Sequence, residues 1–127
     1  MWIEVFRTGN FNDSKGRPFF ADSVTLEAIE RTYNAATEHG YEAPLVKGHP
    51  KDDAPAYGWV ERLARRGNKL LAKLKDLSNE IIEEVREGKY RRVSIALTPE
   101  LLLRHVGLLG AATPAVDGLA TVSFDDG

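Results

Sequence analysis

The sequence predicts an α+β fold in which a mostly antiparallel, barrel-like β-sheet packs against helices. Segments with alternating or continuous apolar residues recur along the chain, whereas two segments show helical spacing. The predicted order is βαβββαβββ, with too few helices for a parallel doubly wound sheet. A mixed or antiparallel sheet with packed helices fits this order. The 127 residues are enough for one domain with its own core, so we assign 1–127 to a single domain.

Each predicted element has a local sequence signal. Alternating or continuous apolar runs predict strands at 2–8, 45–47, 90–99, 101–109 and 119–124. Two more strands lie within 57–77 and are joined by a hairpin turn at 65–69. Capping residues and helical spacing predict the helices, the first starting at Asp22 or Ser23 and ending near Gly40, the second running from a Ser78 cap to Gly88. Residues 8–18 are rich in Gly, Asn, Asp and Pro, which predicts a loop.

Composition excludes several classes of protein. Hydrophobic residues make up 43% and charged residues 28%, which is ordinary globular composition rather than that of a disordered chain. The net charge is −2 and the two signs are mixed, so we expect no nucleic-acid partner. No apolar run is long enough to span a membrane, and we expect no membrane partner and a cytosolic protein. The chain has no cysteine, which excludes disulfides, thiol catalysis and cysteine-bound zinc.

One serine stands out among the possible nucleophiles. Ser94 interrupts the strong apolar strand "RVSIAL", and period-two geometry puts Ala96 and Thr98 on its face. These small side chains leave room above the hydroxyl. The alternative reading is an ordinary strand serine on a partly solvated face.

Two of the three histidines are associated with strands. His49 follows the short strand that ends in "PLVKG", and His105 interrupts "LLLRHVGLL", where alternation puts it on one face with Leu103, Gly107 and Leu109. His39 lies near a helix end, where a cation suits the helix dipole, and we interpret it as structural. A strand histidine is often only a hydrogen-bonded core or edge residue, and that alternative stays open here.

These residue types together make up the smallest set for hydroxyl nucleophilic catalysis. A serine hydroxyl needs an imidazole in hydrogen-bond reach to remove its proton, and that imidazole needs its second nitrogen fixed. The fixing group is a second histidine, His105, or a carboxylate, for which Asp52 and Asp53 are the nearby rivals. A zinc site from the two histidines and an aspartate is another alternative, but the spacing matches no ligand motif. We therefore predict neither a metal nor a cofactor.

Three stretches together resemble a known family. The segments "APLVKGHPKDDAPAYGWVERL", "GKYRRVSIALTPE" and "LLRHVGLLGAATPAVDGL" are similar to the protease domain of the I-protein-like prohead maturation proteases of tailed phages. These enzymes are in turn similar in fold to herpesvirus assemblin. The N-terminal "VFRTGNFNDSKGRPF" also fits, so the resemblance covers nearly the whole chain.

The resemblance implies a serine endopeptidase with a Ser-His-His or Ser-His-acid triad. Its substrates would be the scaffold protein and the major capsid protein, which it would cut inside the phage prohead in the host cytoplasm; self-association stays open. By position, Ser94 matches the nucleophile, His49 the general base and His105 the third member, whose place many phage relatives give to a carboxylate. The implied oxyanion donors are backbone amides of Gly110, Ala111 or Ala112.

Two other functions remain possible on sequence grounds. A chain with this fold could be a non-catalytic scaffold or capsid-assembly module. It could also be an unrelated binding domain whose histidines are structural.

Overall fold

Strands dominate the computed structural model, which describes residues 1–13, 15–50 and 53–124. Among these residues, 40% lie in strands and 19% in two helices, so the fold is mostly β. The elements are β1 Trp2–Arg7, β2 Gly9–Asn12, β3 Pro18–Ala21, α1 Ser23–Thr37, β4 Ala43–Lys47, β5 Gly58–Arg66, β6 Lys69–Lys75, α2 Asn79–Arg86, β7 Arg92–Leu97 and β8 Leu103–Leu109.

Six strands form one mixed sheet in the order β1-β6-β5-β4-β8-β7, which curves into a nearly closed barrel. Four of the strand pairs are antiparallel, whereas β4 and β8 run parallel, with Leu45 beside Val106 and Lys47 beside Leu108. A parallel pair needs a long crossover connection. Here three strands and a helix lie between the two partners along the chain.

The predicted α+β class, a mostly antiparallel sheet with packed helices, is therefore wrong, because the fold is mostly β and its sheet is a nearly closed mixed barrel. The parallel contact joins segments about 60 residues apart, which local alternation of apolar residues does not reveal. A further strand pair was also missed, because residues 8–18, predicted to be a loop, contain most of the antiparallel β2-β3 hairpin. Its strands contain glycine, asparagine and proline, residues that are depleted in strands.

Local sequence signals explain both helices. Asp22 caps α1, accepting a hydrogen bond from the Thr25 amide, and Ser78 caps α2 by accepting one from the Ile81 amide. Both helices bury most of the apolar stripe that their spacing predicts: Leu26, Ile29, Tyr33, Ile81 and Val85 are buried, whereas Ala36 and Ile82 are part-buried. No helix among the described residues is long and apolar enough to cross a membrane.

An irregular C-terminal segment connects the two edges of the sheet. Ala120 donates its amide to Glu4 on β1, and the Val122 amide donates to the carbonyl of Arg91, next to β7. The side chains of Val122 and Phe124 are buried in the core. The predicted strand 119–124 does not form, because this segment bridges the edges of the sheet instead of pairing along one of them.

Tyr33 connects α1 to the opening between β4 and β5. Its side chain is fully buried, and its hydroxyl donates to the Val60 carbonyl at 2.5 Å while accepting from the Ala43 amide at 2.9 Å. Burial raises the pKa of the Tyr33 hydroxyl to about 12, so the group stays neutral and can donate. One hydroxyl thus satisfies two backbone groups where β4 and β5 diverge.

We expect Tyr33→Phe to lower the free energy of unfolding by about 1–3 kcal/mol, because it leaves two buried backbone groups without a partner. Chemical denaturation measures this change. Tyr41→Phe is the matched control, since Tyr41 makes one part-buried hydrogen bond to the Leu103 carbonyl and should cost less. Equal losses in the two variants would contradict the bridging role of Tyr33.

Candidate active site

The backbone of Gly48 lies directly over Gly107. The Gly48 amide continues the β4-β8 ladder by donating to the Leu108 carbonyl at 2.8 Å, and the chain then turns at Gly48 with a φ of 66°. This left-handed conformation is one that glycine adopts at little cost. A Cβ atom added at Gly107 would overlap the Gly48 carbonyl oxygen. The missing side chain at Gly107 therefore lets β4 end by folding over the outer face of β8.

This turn brings His49 against His105. The His49 Nδ1 and His105 Nε2 atoms are 3.2 Å apart, and the ring centroids are 5.4 Å apart at an interplanar angle of 57°. A neutral imidazole has one donor and one acceptor nitrogen, so this contact is a single hydrogen bond in either direction. When His49 donates through Nδ1, its Nε2 atom keeps a free lone pair. That arrangement is the one a general base requires.

Ser94 lies on the same face of the sheet as the two histidines. It pairs with Gly107, and its neighbour Ala96 pairs with His105, so Ser94 and His105 are diagonal neighbours. The Ser94 side chain is part-buried, and its hydroxyl makes no hydrogen bond to any described residue. The structure therefore brings the two histidines into contact and puts the serine on their face without a bond to either.

A bulge in β8 determines which residues share the face of His105. Ala96 pairs with His105 but Leu97 pairs with Leu103, so Arg104 is an extra residue on β8. Leu103 therefore points into the core, where it is fully buried, and does not share a face with His105 as the alternation predicted. Without the bulge, either Leu103 or His105 would lie on the wrong side of the sheet.

One of the two rival carboxylates lies among the described residues. Asp53 follows His49 by four residues, has a φ of 64°, and makes no hydrogen bond to a described residue. Asp52 lies outside the described residues. Among the residues that the structure describes, the group in contact with His49 Nδ1 is thus His105.

The predicted oxyanion residues lie beyond the end of β8. Gly110, Ala111 and Ala112 are exposed, and the amides of the two alanines donate to no described group. Gly110 follows Gly107, the partner of Ser94, by three residues, which is about 10 Å along an extended strand. The strand pairing therefore does not bring these amides to Ser94, and their role stays a prediction.

Lys47 anchors the segment that carries His49. Its ammonium nitrogen is 2.9 Å from a carboxylate oxygen of Glu84 on α2 and 4.5 Å from the centroid of the Tyr57 ring. The ion pair with Glu84 raises the pKa of Lys47. The Tyr57 amide in turn donates to the Leu45 carbonyl at 2.8 Å. Both ends of the segment between β4 and β5 are thus fixed to β4.

Sequence reasoning overlooked Gly48, Gly107 and Lys47 as site residues. The glycine next to His49 was a usable signal, because glycine after a buried strand commonly marks a left-handed turn. Glycine within the apolar run of β8 was another, since glycine inside a strand marks a bulge or a close backbone approach. No local sequence pattern predicts the contact of Lys47 with α2.

The close approach at Gly107 generates a prediction. We expect Gly107→Ala to push the Gly48 carbonyl away and separate the two histidine rings, because the new Cβ has no space. Side-chain ¹⁵N NMR signals of His49 and His105 would report the change. Gly110→Ala is the control, since its Cβ would make ordinary contacts with the Lys89 carbonyl and the Tyr90 ring. Unchanged histidine signals in Gly107→Ala would contradict this account.

A second prediction concerns pH. Burial, followed by the charges of His49 and Arg104, lowers the pKa of His105 below its ordinary value of 6.5. The unfolded chain then binds a proton at His105 more readily than the folded chain, so stability falls as pH drops from 6.5 through the lowered pKa. Chemical denaturation from pH 4 to pH 8 measures this slope, and His105→Gln should weaken it near pH 6. Identical dependence of stability on pH in the wild type and His105→Gln would contradict this expectation.

One protein-family model matches the chain. The family is described as Mu-like prophage I protein, N-terminal domain, and the match covers residues 3–123. No curated protein matches the chain, and no solved structure does. Because the family match spans nearly the whole sequence, this phage-related chain belongs to the family of Mu-like prophage I protein N-terminal domains.

Proposed function

We propose that the chain is a serine endopeptidase in which Ser94 is the nucleophile, His49 the general base and His105 the residue that orients it. The contact between His49 Nδ1 and His105 Nε2 carries this proposal, because it fixes one nitrogen of His49 and leaves the other free. The free nitrogen belongs to a ring on the face that bears Ser94. Membership of a prophage I protein family fits this function.

The proposed reaction follows the chemistry of serine hydrolases. The Ser94 oxygen attacks the scissile carbonyl carbon while His49 Nε2 takes the hydroxyl proton. The positive charge that develops on His49 is stabilised by the hydrogen bond from its Nδ1–H to His105 Nε2. His49 then gives the proton to the leaving amine, and a water molecule repeats the sequence to release the acyl group from the serine.

His105 acts in this scheme as a neutral acceptor. Its lowered pKa keeps the ring unprotonated near neutral pH, so that Nε2 has a lone pair for the Nδ1–H of His49. A neutral imidazole stabilises an adjacent imidazolium less than a carboxylate does, because it has no net charge. The proposed Ser-His-His triad therefore stabilises its protonated base less than a Ser-His-Asp triad does.

The proposed substrates follow from the resemblance of the sequence to prohead maturation proteases. They are the scaffold protein and the major capsid protein, which the enzyme would cut within the prohead in the host cytoplasm. Backbone amides of Gly110, Ala111 or Ala112 are the proposed oxyanion donors. A rearrangement of their loop toward Ser94 is part of that proposal, given the separation along β8.

A second candidate function is a non-catalytic scaffold or capsid-assembly module with the same fold. One observation favours it: the Ser94 hydroxyl has no hydrogen bond to a described residue, and so none to His49. Labelling with a serine-reactive phosphonate separates the two candidates. An activated Ser94 reacts covalently, whereas an ordinary strand serine does not.

We expect Ser94→Ala and His49→Ala to abolish cleavage of a prohead scaffold protein, lowering the rate by about 10⁴-fold or more. Mass spectrometry of new peptide termini measures the cleavage. His39→Ala is the matched control, because this exposed histidine lies just beyond α1, away from the site, and should leave the rate unchanged.

Thermal unfolding of the same variants separates catalysis from stability. We expect nearly unchanged unfolding temperatures, since Ser94 and His49 are not in the buried core. The third member of the proposed triad is tested with His105→Ala and Asp53→Ala. We expect His105→Ala to lose activity and Asp53→Ala to keep it. Cleavage that survives Ser94→Ala, or a phosphonate that labels another residue, would overturn the proposed nucleophile.

A further inference from the structure

The two facing ring nitrogens of His49 and His105 have the spacing of a metal chelate. Zinc binds imidazole nitrogen at about 2.0–2.1 Å, and at a tetrahedral angle two such nitrogens are about 3.3 Å apart. His49 Nδ1 and His105 Nε2 are 3.2 Å apart. The two nitrogens therefore already have the separation that one ion requires of two imidazole ligands.

We propose that His49 and His105 form a reversible binding site for Zn²⁺ that switches off the proposed peptidase. Two imidazoles suit a divalent metal ion of borderline softness, whereas Mg²⁺ and Ca²⁺ prefer oxygen ligands. His49 is exposed, so an ion can reach the pair from solvent.

The remaining ligands come from water. No group of three or more histidine, aspartate or glutamate side chains suited to a metal ion is found among the described residues. A chelate with two protein ligands binds less tightly than a structural site with four. We therefore expect reversible binding whose occupancy depends on the concentration of free zinc.

Metal binding and general-base catalysis exclude each other at His49. Without metal, the proton of the His49–His105 hydrogen bond is on His49 Nδ1 in the arrangement that leaves His49 Nε2 free to act as base. When Nδ1 binds the ion, that proton moves to Nε2, and His105 keeps its own proton on Nδ1. No proton is released, but His49 Nε2 becomes a donor and can no longer accept the Ser94 proton. This inhibitory consequence rests on the proposed function, whereas the binding itself does not.

Isothermal titration calorimetry of ZnCl₂ into the full chain, without a polyhistidine tag, tests the binding. We expect one zinc per chain in the wild-type protein and no binding of MgCl₂. His49→Gln and His105→Gln each remove one of two protein ligands, so each should lower the affinity by at least about tenfold. His39→Gln is the matched control and should bind like the wild type, because it changes the one histidine outside the pair.

The Ser94→Ala variant separates this inference from the proposed function. It keeps both histidines, so we expect it to bind zinc like the wild type although it should not cleave. If the wild type cleaves, zinc should suppress cleavage and a chelator should restore it. Absence of binding at one zinc per chain, or unchanged affinity in the two pair variants, would overturn the metal site. Zinc binding without any peptidase activity would support the site and remove only the proposed reaction.

Discussion

The close approach of the Gly48 backbone to Gly107 is the constraint on which the candidate site depends. The parallel β4-β8 pair continues through the bond from the Gly48 amide to Leu108, and then the chain crosses the outer face of β8. Any side chain at Gly107 would fill the space that the Gly48 carbonyl occupies. Because interiors are close-packed, such an overlap is relieved only by moving backbone. The position of His49 therefore follows from an absent side chain on a neighbouring strand.

The parallel pairing also explains how two histidines that are far apart in sequence come into contact. His49 and His105 are 56 residues apart, and the sheet brings them together because the strand before one pairs with the strand that holds the other. The bulge at Arg104 completes the arrangement by turning His105 outward while Leu103 points into the core. The parallel β4-β8 pair, the turn at Gly48 and the bulge at Arg104 together produce the contact between the two histidines.

Ser94, His49 and His105 could be proposed from the sequence because each carries a local signal. A serine among small residues in an apolar strand and two histidines at strands are visible without a fold. The helix caps at Asp22 and Ser78 were predictable for the same reason, since capping depends on neighbouring residues. Ser94 was correctly expected to share a face with Ala96, because alternation needs only the strand itself.

The features that were missed all depend on contacts between distant segments. The parallel β4-β8 pair, the Arg104 bulge and the overlap at Gly107 are properties of two strands together, and a period-two pattern on one strand contains none of them. The fold class was wrong as well, because an α+β class was predicted and the strands instead form a nearly closed mixed sheet that makes the fold mostly β. Propensity also failed for β2 and β3, where tertiary contacts outweigh the preferences of glycine, asparagine and proline.

The strand that carries Ser94 differs from its neighbours in how it is held. β4 and β8 each have two partners in the sheet, whereas β7 is an end strand that pairs with β8 alone. Beyond that ladder, the C-terminal segment holds it near Arg91 and Arg92, through the Val122 amide and the Thr121 hydroxyl. His105 thus lies on a strand that is paired on both sides, His49 follows another such strand in the turn at Gly48, and Ser94 lies on a strand that is paired on one side. A movement of β7 that changes the distance between Ser94 and the histidines therefore disrupts one strand ladder, whereas a movement of β8 disrupts two.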